Sequence, residues 1–162
     1  MNRSRIQGVL VDVGGVGVLI QGPPGIGKSL AALHLMSRGH KLVSDDLVQI
    51  SVSEDGKLVG MPVEEQVRIE VRGLGIYRAR ALFDEGTSAA SSIDFAVNLE
   101  TYDPLVDVGR TEPEMTAIQI MGCELQRIRL PLTRGSDPAL LIELLAKLFR
   151  SHGTVRQWKP EE

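Results

Sequence analysis

Eight residues, Gly22-Pro23-Pro24-Gly25-Ile26-Gly27-Lys28-Ser29, constrain this chain more than any other segment. The spacing Gly-x-x-x-x-Gly-Lys-Ser is that of a phosphate-binding loop. Its glycines let the backbone turn tightly enough for successive N–H groups to face phosphate oxygens. The following helix adds the positive end of its dipole at the same point. The pattern therefore requires a strand before the loop and a helix after it, which fixes an α/β architecture. It also assigns roles. Residues 22–30, from Gly22 through Pro23, Pro24, Gly25, Ile26, Gly27, Lys28 and Ser29 to Leu30, form the nucleotide cradle. Lys28 is a mobile charge for the outer phosphates, and the Ser29 hydroxyl is a ligand for Mg²⁺.

The flanks supply that context. Residues 8–13 and 16–21 are β-branched and alternating, and Gly14-Gly15 between them predicts a hairpin. Residues 29–38 read as a helix with Leu30, Leu33 and Leu35 or Met36 on its apolar face and Gly39 at its end. Strands are expected over 41–44, 47–52, 58–61, 68–71 and 93–99, and a second hairpin over 116–121 and 125–132 around Gly122. Residues 76–83 read as a short helix, 84–92 as a mobile loop and 103–114 as a further loop. A final helix runs from Pro138 to about residue 150, with leucines 140, 141, 144, 145 and 148 on its apolar side. Many strands follow one another without helices between them. The expected fold is a P-loop α/β domain with a mixed, partly antiparallel sheet and a few flanking helices.

At 162 residues with 43% hydrophobic residues, the chain fits a single domain, with its core at about 6–150 and a polar tail at 151–162 containing Trp158. A net charge of -3 and 4% aromatics speak against a nucleic-acid partner. No apolar run approaches the ~20 residues a membrane-spanning helix needs, so a cytoplasmic location is expected. Cys123, without a second cysteine to pair with, is expected to be a buried thiol.

Two further features can carry phosphoryl-transfer chemistry. Asp45-Asp46 follows the loop by one helix and one strand, so it returns to the phosphate edge. A carboxylate there can hold Mg²⁺ through water or take the proton of an attacking hydroxyl. Alternating strand geometry would let at most one of the pair face the phosphates, and a solvated turn is the plain alternative. Glu70 and Arg72 share a strand face by their spacing. They read either as metal ligand and phosphoryl-neutralising arginine or as a cross-strand ion pair.

Three strings together resemble the catalytic domain of the bacterial HPr kinase/phosphorylase family: residues 8–13 (GVLVDV), residues 38–46 (RGHKLVSDD) and residues 70–76 (EVRGLGI). The last is close to the family signature Glu-Ile-Arg-Gly-Leu-Gly-Ile, and the likeness extends over about residues 6–150. It implies the catalytic half of a serine kinase acting on the phosphocarrier HPr. ATP, or in some members pyrophosphate, would be the donor, with Mg²⁺, and the assembly would be hexameric. By this resemblance Asp46 is the base, with Asp45 beside it, and Glu70 is a second metal ligand. Gln7 stands where the family has a catalytic histidine, and an amide cannot take up a proton near neutral pH. Arg110 is the nearest candidate for a family arginine, displaced by two positions. Residues Arg134, Gly135 and Ser136 fall at a loop the family ties to dephosphorylation. These departures keep three readings open: an HPr kinase with weak reverse phosphorolysis, a kinase for another protein or small hydroxyl compound, and a nucleotide sensor without catalysis.

Overall fold

The computed structural model describes residues 2–154. The chain begins with β1 (Arg3–Gln7), β2 (Val9–Val13) and β3 (Val16–Gln21), and the phosphate loop leads into α1 (Lys28–Ser37). Strands β4 (Lys41–Ser44), β5 (Leu47–Val52), β6 (Leu58–Pro62), β7 (Arg68–Val71) and β8 (Gly75–Arg78) follow, then the short α2 (Ala79–Leu82). After β9 (Ser91–Ser92) come β10 (Phe95–Thr101), α3 (Pro104–Asp107), β11 (Glu114–Ile120), β12 (Cys123–Leu132) and α4 (Pro138–His152).

The main sheet has six strands in the order β11-β12-β10-β3-β2-β4. Strands β12, β10 and β3 are parallel, while β2 is antiparallel to both β3 and β4. The carboxyl ends of β3, β4, β10 and β12 therefore lie along one edge, the place where open α/β sheets bind ligands. Four strands form a second sheet, β1-β5-β6-β9, and β7-β8 is a separate hairpin.

Alternation along β3 and β10 splits the core between the two faces of the main sheet. Val18, Ile20 and Val97 join Ala31, Leu35, Ala139 and Ile142 of α1 and α4 in one cluster. Leu10, Leu19 and Ala96, pointing the other way, meet Val48, Ile50 and Leu58 of the second sheet in another. The molecule is thus helix, sheet and sheet in three layers, which bears out the mixed α/β expectation.

Several local expectations change. Residues 76–83 are β8 followed by one turn of helix, because Glu70–Ile76 and Ile69–Tyr77 pairing in the hairpin extends the backbone first. Residues 84–92 are pinned: the Leu42 N–H donates to the Gly86 carbonyl at 2.8 Å, and Leu42 accepts from the Ser88 N–H at 3.0 Å. The loop at 103–114 contains α3 and gives Glu114 to β11. On α1 the buried residues are Ala31, Ala32, Leu35 and Met36, and Leu30 is exposed. On α4 the sheet is met by Ala139, Ile142 and Ala146, with Leu140, Leu141 and Leu144 exposed. Cys123 is only half-buried, its Sγ 3.5 Å from the Gly56 carbonyl. Trp158 and the tail beyond residue 154 lie outside the described residues. No described helix is long and apolar enough to cross a membrane.

Candidate active site

The phosphate loop leaves the carboxyl end of β3, and its first glycine answers to packing as much as to ligand. A Cβ on Gly22 would lie 2.6 Å from the Leu99 carbonyl oxygen of β10, so only glycine lets the loop cross that strand. Gly25 has φ 80° and Gly27, the residue capping α1, has φ 109°. Lys28 folds back, its Nζ donating to the Gly22 carbonyl at 2.7 Å and the Pro23 carbonyl at 3.1 Å. These bonds hold the ammonium at the mouth of the loop.

Asp45 and Asp46 are not strand residues. They form the bend after β4, and Asp46 takes a left-handed backbone with φ 68°. That bend defeats strict alternation, and both residues line the cavity at the loop. Asp45 accepts from the Ser29 hydroxyl at 2.8 Å. Asp46 lines the same space as Lys28, and its backbone carbonyl accepts from the Gly8 N–H at 2.9 Å. Residues 70–76 form the β7-β8 hairpin over the loop. Arg72 lies in its turn with the guanidinium over Gly25, where a Cβ would sit 3.2 Å from Nη2. Glu70 supports Asp45 through its backbone, and Glu70 and Arg72 form no ion pair among the described residues.

Two open cavities meet here. The larger, about 980 Å³, is lined by residues 24–30 of the loop together with Asp45, Asp46, Glu70 and Arg72. The smaller, about 460 Å³, is lined by Gln7, Gly8, Gln21, Gly22 and Pro23, and also by Asn98 and Arg127. Pro24, Lys28 and Asp46 belong to both, so a lysine and a carboxylate stand on the boundary between two ligand-sized spaces. The donor set on the larger side suits a magnesium ion. Ser29 Oγ and the Asp45 and Glu70 carboxylates are few and hard, and Mg²⁺ is usually held by one or two protein oxygens plus phosphates and water.

Burial pushes the Asp45 carboxyl above its ordinary range, and the Asp46 charge adds to this. Hydrogen bonds from Ser29 and from the Glu70 and Asp46 backbone pull in the opposite direction. A raised carboxyl favours the fold in its protonated form. That contribution is complete below the unfolded pKa and is lost as the pH rises through the folded value. Asp45→Asn is therefore expected to raise the Tm of the ligand-free protein near neutral pH. The same variant is expected to lose most of any Tm gain seen when Mg²⁺ and ATP are added to the parent protein. Thermal unfolding with and without Mg²⁺-ATP, across the acid-to-neutral range, measures both effects.

Arg110 does not come to this site. It pairs with Glu114 at 2.9 Å and lines neither cavity. Nearby, Arg129 on β12 binds Asp107 at 2.5 Å and also Glu100, and its guanidinium holds the Asp107 carboxyl below the usual range. Glu100 in turn accepts from Asn98 Nδ2 at 2.7 Å, so this ionic chain ends at the edge of the smaller cavity. Arg134, Gly135 and Ser136 form the turn into α4 and line neither cavity. Gln7, at the end of β1, does reach the smaller one.

Gln21, Asn98 and Arg127 are site residues that the motifs did not single out. Asn98 was visible as the one polar residue in the apolar run 95–99, and its register with Gln21 in the parallel β3-β10 pair places it beside the loop. Nothing local in the sequence marks Arg127.

A protein-family model described as HPr serine kinase C-terminal domain matches residues 1–157. The HPr kinase/phosphorylase of Geobacillus sp. (strain WCH70) is 41% identical over 149 residues, covering 91% of this chain and 48% of that protein. The HPr kinase/phosphorylase of Streptococcus sanguinis (strain SK36) is 39% identical over 153 residues, covering 92% of this chain and 49% of that protein. The chain thus spans about half the length of the curated relatives it matches. Among solved structures, the Hpr(Ser) kinase/phosphatase from Coxiella burnetii superposes with a TM-score of 0.81 at 28% identity, covering 91% of each chain.

Proposed function

The chain belongs to the HPr serine kinase C-terminal domain family, and from that premise we propose that it transfers the γ-phosphoryl group of ATP to a serine hydroxyl of HPr or an HPr-like protein. The observation that carries the reading is the boundary position of Lys28 and Asp46, each lining both cavities. A transferred group must pass between a donor space and an acceptor space, with a cation on the group and a base on the attacking oxygen. When bound, Mg²⁺ would neutralise charge on the donor phosphates.

The loop N–H groups and Lys28 orient the donor phosphates in the larger cavity. Ser29, Asp45 and Glu70 would supply the oxygens for the metal, and Arg72 over Gly25 offsets charge on the moving phosphoryl group. Asp46 accepts the serine hydroxyl proton as the oxygen attacks in line from the smaller cavity. Gln7 orients the acceptor by hydrogen bonding and cannot exchange a proton. The reverse reaction, attack of inorganic phosphate on phosphoserine to give pyrophosphate, is therefore expected to be weak.

Incubation with labelled ATP, Mg²⁺ and purified HPr is expected to place label on a serine of HPr. Omitting Mg²⁺ is expected to remove it. A preparation that binds ATP yet labels no HPr would overturn the HPr assignment, and a screen of lysate proteins and hydroxyl metabolites would then identify the acceptor. Rapid pyrophosphate release from phosphorylated HPr would overturn the one-way reading.

A further inference from the structure

The smaller cavity holds two polar groups that the reaction scheme leaves unused. Arg127 is half-buried, and its guanidinium makes no ion pair or hydrogen bond among the described residues. Its neighbour on the same strand face, Arg129, is bound to Glu100 and Asp107. The second group is Gln21 Oε1, which is buried with no partner, while Gln21 Nε2 reaches the Gln7 carbonyl at only 3.4 Å. An unsatisfied buried amide and an unpaired, partly desolvated guanidinium are both costly. Both are relieved by one ligand that brings an anion to Arg127 and a donor to Gln21.

Strand register explains why they converge. Arg127 pairs with Ala96 and Asn98 with Gln21, so Arg127, Asn98 and Gln21 project from the face of the main sheet that carries Leu19, Ala96 and Leu125. The second sheet covers that face until β1 ends at Gln7, and the cavity opens where the cover stops. Lys28, on the boundary with the larger cavity, already spends two of its donors on the Gly22 and Pro23 carbonyls.

We infer that Arg127 is a specificity-determining residue that holds a carboxylate or phosphate group of the acceptor, and so sets the acceptor hydroxyl against Asp46. A guanidinium offers paired donors in the fork geometry that matches such oxyanions. The inference rests on the proposed kinase reading, because it takes the smaller cavity as the acceptor space. On this view the preferred acceptor carries an acidic or phosphorylated group beside its reactive hydroxyl.

The test uses the whole chain saturated with Mg²⁺ and a non-hydrolysable ATP analogue, so that the phosphate loop is filled. Calorimetric titration with inorganic phosphate is expected to show a second site in the parent protein. Arg127→Gln is expected to weaken that site at least tenfold, and Arg127→Lys is expected to recover part of it. In the kinase assay, Arg127→Gln is expected to raise the KM for acceptor at least tenfold with the KM for ATP unchanged. Phosphate is expected to compete with acceptor in the parent protein only. Phosphate binding unaltered by Arg127→Gln would overturn the inference, as would a joint rise in both KM values, which would place the arginine on the nucleotide. Competition by phosphate that persists in Arg127→Gln would assign the effect to free phosphate at another site and overturn it too. Failure of the ATP analogue to bind at all would count against the kinase reading itself.

Discussion

Asp46→Asn is expected to lower phosphoryl transfer by roughly 10²–10⁴-fold, the usual contribution of a positioned general base, while leaving affinity for Mg²⁺-ATP within a few-fold of the parent. The substitution is informative because of the backbone it sits on. Asp46 has φ 68°, a left-handed conformation that costs most residues about 1–2 kcal/mol, which Asn and Asp relieve by local hydrogen bonding. Asparagine keeps that conformation, the side-chain volume and the Gly8–Asp46 backbone hydrogen bond at 2.9 Å. It removes only the charge and the ability to take a proton. Alanine at the same position would mix lost chemistry with backbone strain, and glycine would add freedom to the bend.

The expected signature is a fall in kcat with little change in KM for ATP. The Tm gain on adding Mg²⁺-ATP should be retained, in contrast to Asp45→Asn. The two neighbours are separable because Asp45 holds Ser29, while Asp46 faces the boundary between the cavities. Transfer within threefold of the parent would remove Asp46 from the role of base.

The contrast between these two aspartates also marks where sequence reasoning reached its limit. Residue type and spacing brought Asp45 and Asp46 to the phosphate edge, because strand β4 has to return beside the loop. Strict alternation then predicted that one of them would turn away. A bend with a positive φ decided otherwise, and no local pattern announces that geometry in a non-glycine residue.

The same distinction runs through the fold. Hairpins were legible because Gly14-Gly15 and Gly122 sit between alternating runs, and the phosphate loop carries its own strand and helix. The phase of α4 was not legible. Its apolar residues cover well over half the helix circumference, and the sheet selects the side where Ala139 and Ala146 permit close approach, leaving Leu140 and Leu144 outside. The Arg129 network was hidden for another reason: Arg129 is far in sequence from Glu100 and Asp107 and meets them only once β12 pairs with β10 and α3 folds beside it. Arg110, nearer the expected family arginine, is drawn to Glu114 in the same neighbourhood.

The layer that sequence periodicity concealed most completely is the second sheet, and Gly17→Ala tests how closely it is applied. Gly17 lies inside β3, opposite Asp12, where a glycine weakens a strand unless another backbone comes near. Here one does. The Gly17 N–H donates to Asp94 Oδ2 at 2.8 Å, and its carbonyl accepts from the Asp94 N–H at 2.8 Å. A Cβ at this position would stand 1.5 Å from the Ser92 carbonyl oxygen and 2.6 Å from its carbonyl carbon. The obstacle is backbone, so no rotamer change relieves it.

Residues 91–94 must move, and with them β9, which closes the second sheet against β6 at Val59 and Gly60. Ile93 and Leu58 would then lose part of their shared packing. Overpacking in a core costs about 1–3 kcal/mol, and a clash with the Ser92 backbone belongs at or above the top of that range. Gly15→Ala is the control. Nothing lies within 4 Å of a Cβ there, so only its φ of 91° is at issue, and about 1 kcal/mol is expected.

Urea unfolding should place the Gly17→Ala midpoint well below that of Gly15→Ala. Because β3 delivers the phosphate loop and the second sheet delivers Gln7, the same change should weaken both nucleotide and acceptor binding. Coincident midpoints for the two variants would show that the second sheet yields at little cost, and that the close approach at Gly17 is not what joins the layers.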